Sequence, residues 1–183
     1  MRRRAIIPPR RPVFLGAEGK SEAGYAALLA RIARDGLSPA IHIHVEVLQP
    51  GAGDPLELIE RAIQKIHEIE RRRTPLWVKA VLLDRGARDK MESAIARARA
   101  VGIAHLIWQD PDHEAMLLRH LPGCQHLRPA AGASFEAIRR RWPDYSKGMP
   151  AQRLAQRINI EHIRMACTGE PHLRDFLIKI GLL

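Results

Sequence analysis

Apolar positions along this chain follow two periods, and the switches between them mark the elements. Val13 to Ala17 is a short apolar run bounded by proline and glycine, which predicts a buried strand. From Ser21 to Asp35 the spacing is helical, with Tyr25, Leu28, Leu29 and Ile32 on one side and Gly36 as the stop. Ile41, Ile43, Val45 and Val47 then alternate with His42, His44 and Glu46. That period of two predicts a strand with one buried and one polar face, suited to a place near a sheet edge. The stretch PGAGDP reads as a loop, with Asp54 capping the next helix and Pro55 at its first position. This helix runs to about Arg72 and turns Leu56, Ile59, Ile63 and Ile66 inward. LWVKAVLL is the third strand, ending at Asp84, and a helix from about Ala87 to Ala100 follows it. IAHLIW is the fourth strand, after which Asp110 or Asp112 caps a helix carrying Met116, Leu117 and Leu121.

Strands alternating with helices predict an α/β fold: a mostly parallel four-stranded sheet with right-handed crossovers, flanked by helices. From about Pro122 no strand pattern recurs. Helices are expected near Ser134–Arg141, Pro150–Arg157, Glu161–Cys167 and Pro171–Ile180. The chain therefore divides into a basic flexible arm (residues 1–12), an α/β core (13–121) and a helical C-terminal region packed on that core (122–183).

Composition sharpens this picture. With 183 residues and 46% apolar content the chain can bury a sizeable single core. Only 4% of residues are aromatic, so Leu, Ile, Val and Ala must fill it. The net charge of +10 favours a polyanionic partner, nucleic acid first, although an Arg-rich proteome produces the same balance. The arm holds Arg2, Arg3, Arg4, Arg10 and Arg11, which read as phosphate contacts or as a solvated tail. Its apolar part is too short for a signal peptide, and no 18-residue apolar run is present to span a membrane. Cys124 and Cys167 lack metal or redox spacing and suit a reducing cytoplasm.

In an open parallel sheet, functional groups gather at the carboxyl ends of the strands. Glu18 follows the first strand, Asp84 ends the third, and Asp110, Asp112 and Glu114 follow the fourth. On a helix, Asp110 and Glu114 share a face. Three regions thus send carboxylates to one rim, the usual makings of an oxygen-ligand Mg²⁺ or Mn²⁺ site; the bland reading is that such acids cap helices. Gly19-Lys20-Ser21 resembles a phosphate loop, but the glycine required five positions before Gly19 is Phe14. Lys20 remains a candidate contact for one phosphate at the helix start. His42 and His44 share a strand face without a partner pair at zinc spacing, which favours a solvent-facing or pocket-lining role. Lys79 lies in an apolar strand, either snorkelling at an edge or reaching a nucleic-acid face. Tyr145 and Lys147, between helices in WPDYSKGMP, are positioned to hold a phosphate or to pack the loop.

Together these pieces resemble a known family. FLGAEGKSEAGYAALL is similar to the acid–glycine turn after the first strand of Toprim-type domains, and VLLDRG resembles their strand-end aspartate motif. GIAHLIWQDPDHEAMLLRHL resembles the S-N-P-x-F-E-x-W-L-L-x-H segment of the RloB-like family, and PDYSKGM its Y-x-K segment. The four pieces stand in the family's order over roughly Val13 to Arg157. The resemblance implies a Toprim-like domain associated with bacterial restriction or phage defence, whose relatives include metal-dependent nucleases. It makes Glu18 the general acid or base, Asp84 the first aspartate of the metal-binding Asp-x-Asp motif, and Glu114 the acid of F-E. It matches His120 to the terminal histidine and Tyr145 and Lys147 to the Y-x-K pair. The expected metal set is Glu18, Asp84, Asp110 and Glu114. Lys20, Arg85, Arg88, His120, Tyr145 and Lys147 are the expected phosphate or nucleic-acid contacts. The chain departs from the pattern at Gly86, which replaces the second aspartate, with Asp89 three residues further on, and at His113 and Met116 in the F-E segment. Three functions follow: a Mg²⁺- or Mn²⁺-dependent nuclease, an inactive module that binds nucleic acid or a defence partner protein, and a small-nucleotide binder.

Overall fold

The computed structural model describes residues 10–37, 40–49, 53–72, 75–85 and 88–183. The first nine residues of the basic arm and Gly86 lie outside the described residues. Four strands form one all-parallel sheet: β1 (Arg11–Ala17), β2 (Ile41–Val47), β3 (Val78–Asp84) and β4 (His105–Gln109). Their spatial order is β2-β1-β3-β4. The period-two segment is thus an edge strand, as its polar face predicts. β1 begins at Arg11, two residues earlier than its apolar run. The Arg11 N–H donates to the Ala40 carbonyl at 2.7 Å, and its guanidinium stands 4.9 Å from the Trp77 ring centroid. Arg11 and Pro12 therefore belong to the sheet rather than to the arm.

Between the strands run α1 (Lys20–Ile32), α2 (Pro55–Arg72) and α3 (Arg88–Ala100). A π-type turn, Ala33–Leu37, closes α1, and Gly36 takes a φ of 141° there, a conformation open to glycine alone in practice. After β4 come α4 (His113–Arg119), α5 (Ser134–Arg141), α6 (Ala151–Leu154), α7 (Ile160–Ala166) and α8 (Pro171–Lys179), with no further strand. Right-handed crossovers explain the layering. The step from β1 to β2 runs one way along the sheet, and the steps to β3 and β4 run the other way, so α1 and α2–α3 fall on opposite faces.

Alternate residues of each strand serve the two layers. Val13, Leu15, Val78, Ala80, Leu82 and Ile107 join α1 and the C-terminal helices in one buried cluster. Phe14, Val81, Leu83 and Trp108 join α2 and α3 in the other. Both faces are covered, so the inner strands read as unbroken apolar runs. Residues 122–183 supply Ile138, Trp142, Ile163, Phe176 and Leu177 to the first cluster, so the helical region is packed on the core. Among the described residues no helix is long and apolar enough to cross a membrane. Lys79 sits on an inner strand, where its ammonium pairs with Glu70 at 3.0 Å. His42 and His44 meet edge to face with centroids 4.4 Å apart.

Two contacts fasten the C-terminal region. The buried Arg119 guanidinium pairs with Glu170, which precedes α8, and donates to the Asp110 carbonyl at 2.8 Å. The loop before α6 crosses α1 at Gly24, where an added Cβ would lie 2.2 Å from the Met149 carbonyl oxygen.

Two stability predictions follow from these contacts. Glu170→Ala leaves the Arg119 charge buried and unpaired, and is expected to cost about 3–5 kcal/mol in urea unfolding. In an exposed helix Gly24→Ala would stabilise by up to about 1 kcal/mol. Here the collision with Met149 reverses the sign, with an expected net loss of about 1–2 kcal/mol. An unchanged or raised unfolding midpoint for that variant would refute the close approach.

Candidate functional site

The sheet order reverses between β1 and β3, and the ends of these two strands open a cleft of about 360 Å³. Such a reversal is where open α/β sheets bind ligands, because the loops part to opposite faces there. Glu18, Gly19, Lys20, Ser21, Glu22 and Asp84 line it, with Gln49 from the β2–α2 connection and Lys147 and Gly148 from the loop before α6.

The first wall is the turn from β1 into α1. Gly19 is the N-cap residue of α1, with φ −143° and ψ −166°, an extended rather than left-handed conformation. Its value is space: a Cβ there would come 3.2 Å from both the Gln49 amide nitrogen and Glu22 Oε2. The Gly19 N–H donates to Glu22 Oε2 at 3.0 Å, half of a capping box. Phe14 lies inside β1, so no phosphate-wrapping loop begins there. The second wall is the end of β3. The Asp84 N–H donates to Glu18 Oε2 at 3.1 Å and fixes the Glu18 carboxylate at the strand junction. Asp84 Oδ1 is buried with no hydrogen-bond partner.

The third wall arrives from far along the chain. The Gly148 N–H donates to Ser21 Oγ at 2.9 Å and pins the Tyr145–Lys147 segment against α1. Buried Tyr145 donates its hydroxyl to Glu114 Oε1 at 3.2 Å, and Lys147 Nζ stands 3.7 Å from Glu114 Oε2. Both oxygens of Glu114 are therefore engaged. Glu114, which the resemblance makes a metal ligand, is not among the residues that line the cleft.

Burial and mutual repulsion set the electrostatics. Asp84 is pushed up to about 8, by burial first and then by the charges of Glu22, Glu18, Asp112 and Glu114. Glu18 is raised by burial, against the Asp84 N–H bond, with Glu22 adding to the rise. Glu22 and Glu114 are raised by burial too, and Lys147 pulls both the other way. The Tyr145 phenol is driven upward by burial and by Glu114, so it stays protonated and a donor.

Other expected site residues lie elsewhere. Asp110 precedes α4, whose cap is Asp112, accepting from the Ala115 N–H at 2.9 Å. Asp110 thus shares no helix face with Glu114. Its carboxylate pairs with Arg85 at 3.0 Å, away from the cleft, and it leaves the expected metal set. Arg88 is an exposed partner of Glu92. His120 is a core residue, fully buried, and not a phosphate contact. Its Nδ1 must donate to the Met116 carbonyl, at 2.9 Å, so Nε2 accepts the Tyr25 hydroxyl, also at 2.9 Å. Burial lowers His120 to about 4 and His113 to about 3, so both rings are neutral. Neutral His113, 3.9 Å from Glu22, is then a contact and not an ion pair.

Sequence reasoning missed Glu22, although Gly19-Lys20-Ser21-Glu22 has capping-box spacing and signalled it. It also missed the Arg119–Glu170 pair, which spans 51 residues and has no local signature. The donor chemistry of the cleft fits a hard divalent cation: oxygen ligands, an unsatisfied Asp84 Oδ1, and carboxylates whose charges oppose one another. No closed shell exists, since among the described residues no three His, Cys, Asp or Glu side chains are drawn together as metal ligands. Mg²⁺ typically needs only one or two protein carboxylates, with water and phosphate completing its sphere.

The raised proton affinity of Asp84 has a sign that can be measured. Between its ordinary value of 3.8 and about 8 the folded chain holds a proton that the unfolded chain releases. Its contribution is therefore lost as pH rises. The neutral histidines act oppositely, but only below their ordinary value of 6.5. From pH 6.5 to 8 the unfolding free energy is expected to fall with pH, and Asp84→Asn to flatten that fall in urea titrations. A wild-type profile already flat across this window would contradict the assignment.

Compared with protein-family descriptions, curated proteins and solved structures, the chain matches none.

Proposed function

We propose that this chain is a Toprim-like, divalent-metal-dependent nuclease that hydrolyses phosphodiester bonds of DNA or RNA in a bacterial defence or DNA-processing setting. The observation that carries this reading is the 3.1 Å bond from the Asp84 N–H to Glu18 Oε2. It joins the acids of two strands at the sheet's switch point, in a cleft that also holds two lysines, within a chain of net charge +10. The Toprim and RloB-like resemblance of the same residues supports it.

Each side chain has a task in this reading. Lys20 and Lys147 neutralise the phosphate entering the cleft. Glu18 accepts the Asp84 N–H at Oε2, and its raised proton affinity suits it to hold a proton at Oε1 for the departing oxygen. Asp84, through its unpartnered Oδ1, would hold the metal. A bound Mg²⁺ or Mn²⁺ supplies charge neutralisation of the phosphate and an activated water. Tyr145 and Glu114 orient Lys147.

One observation favours a second reading. Asp110 is taken by Arg85 and both Glu114 oxygens are engaged, which leaves Asp84, with Glu18 and Glu22 beside it, as the carboxylates of the cleft. A nucleic-acid-binding module without turnover would need no more. A small nucleotide is the third candidate ligand, since the cleft falls within the size range of small-molecule sites.

Labelled DNA and RNA incubated with Mg²⁺ or Mn²⁺ separate these readings. Cleavage is expected, and Glu18→Gln and Asp84→Asn should each slow it at least about 100-fold. Cleavage indifferent to both changes would sink the assignment. Tight oligonucleotide binding without turnover would establish the second reading. A thermal shift with mononucleotides alone would establish the third.

A further inference from the structure

We infer that α5 and the loop after it form a single-strand nucleic-acid surface leading into the cleft, with Phe135 as a base-stacking step. This rests on the nucleic-acid reading of the cleft and names the form of its substrate.

The first observation concerns charge compensation. Several surface arginines have carboxylate partners, such as Arg88 with Glu92, Arg97 with Glu60 and Arg164 with Glu161, while Arg71, Arg72, Arg99, Arg153 and Arg157 form no ion pair among the described residues. The last turn of α5 presents Arg139, Arg140 and Arg141, all exposed, and none of them forms an ion pair among the described residues. Cations at a helix C-terminus do complement its dipole, which accounts for their tolerance there. That effect does not account for the second observation, an aromatic ring beside Arg139. The Arg139 guanidinium lies 6.0 Å from the half-buried Phe135 ring centroid and Lys147 Nζ lies 5.8 Å from it.

Lys147 is the joint between the two sites. The same ammonium stands 3.7 Å from Glu114 and lines the cleft beside Glu18 and Asp84. A strand whose phosphate meets Lys147 therefore has its neighbouring base beside Phe135 and its next phosphate near Arg139. Aromatic rings flanked by cations are the general means of gripping a single strand, because every base has a π-face. A duplex keeps its bases stacked inside and offers none to such a ring. The Pro143 carbonyl accepts from Arg139 at 3.2 Å, so the guanidinium is already held towards this surface.

The test uses the full chain in EDTA, with fluorescence anisotropy of labelled single-stranded DNA, single-stranded RNA and a blunt duplex. Phe135→Leu keeps an apolar side chain on α5 and removes the ring. It should weaken single-strand binding about 5- to 100-fold, and Phe135→Trp should restore it. Arg139→Gln should lower the slope of log affinity against log salt by about 1. Duplex should bind more weakly than either single strand. Wild-type affinity in Phe135→Leu, at an unchanged unfolding midpoint, would overturn the proposal, as would duplex binding equal to single-strand binding. If Phe135→Leu unfolds, an unaltered salt slope in Arg139→Gln is the overturning result. Cleavage in Mg²⁺ that survives Glu18→Gln removes the nuclease reading, while loss of single-strand binding by Phe135→Leu in EDTA leaves this surface standing.

Discussion

The pairing of β1 with β3 is the constraint on which the rest of the molecule depends. It sets two strands side by side whose crossovers leave in opposite directions, and a gap opens where they part. The Asp84 backbone N–H then donates to the Glu18 carboxylate, which brings the acids that close those strands to one junction. A carboxylate needs solvent or a cation near it. This cleft brings Glu22 and Glu114 into the same field and half-buries the group. The fold thus concentrates unfavourable charge at its own switch point, as functional sites characteristically do.

What makes that concentration tolerable is the C-terminal helical region. It delivers Lys147 as a counter-charge, along a loop seated on α1 by Gly24 and Ser21. The Arg119–Glu170 pair anchors the same region inside the core. Core, anchor and cleft are mechanically one piece. A substitution at Gly24 would reach the cleft through the Met149 loop, without touching a cleft carboxylate.

Legibility from sequence followed the range of the interactions. Strands and helices appeared within a residue or two wherever period and caps were local, as in β2, α2 and α5. Boundaries failed where a tertiary contact extended an element: Arg11 reads as arm but pairs into the sheet, because Ala40 offers a carbonyl. The acids at the ends of β1 and β3 were recognisable, since a parallel sheet sends its strand ends to one rim. Asp110 was misplaced because helix capping by Asp112, not spacing, decides where α4 begins. His120 looked like a ligand, but its helix turns it into the core, where Tyr25 and the Met116 carbonyl take both nitrogens.

The sequence by itself determined the α/β layering, the edge position of β2, the failure of the phosphate-loop spacing and the placing of two acids at strand ends. Each follows from period, composition or residue count within a short window. Only the tertiary structure decided which side chains meet there. Glu22 joins the cleft, Asp110 leaves it for Arg85, and Glu114 is engaged by residues about 30 positions away. The reason is that a carboxylate's role depends on which donors and charges surround it in space, and those come from segments whose meeting no local pattern encodes.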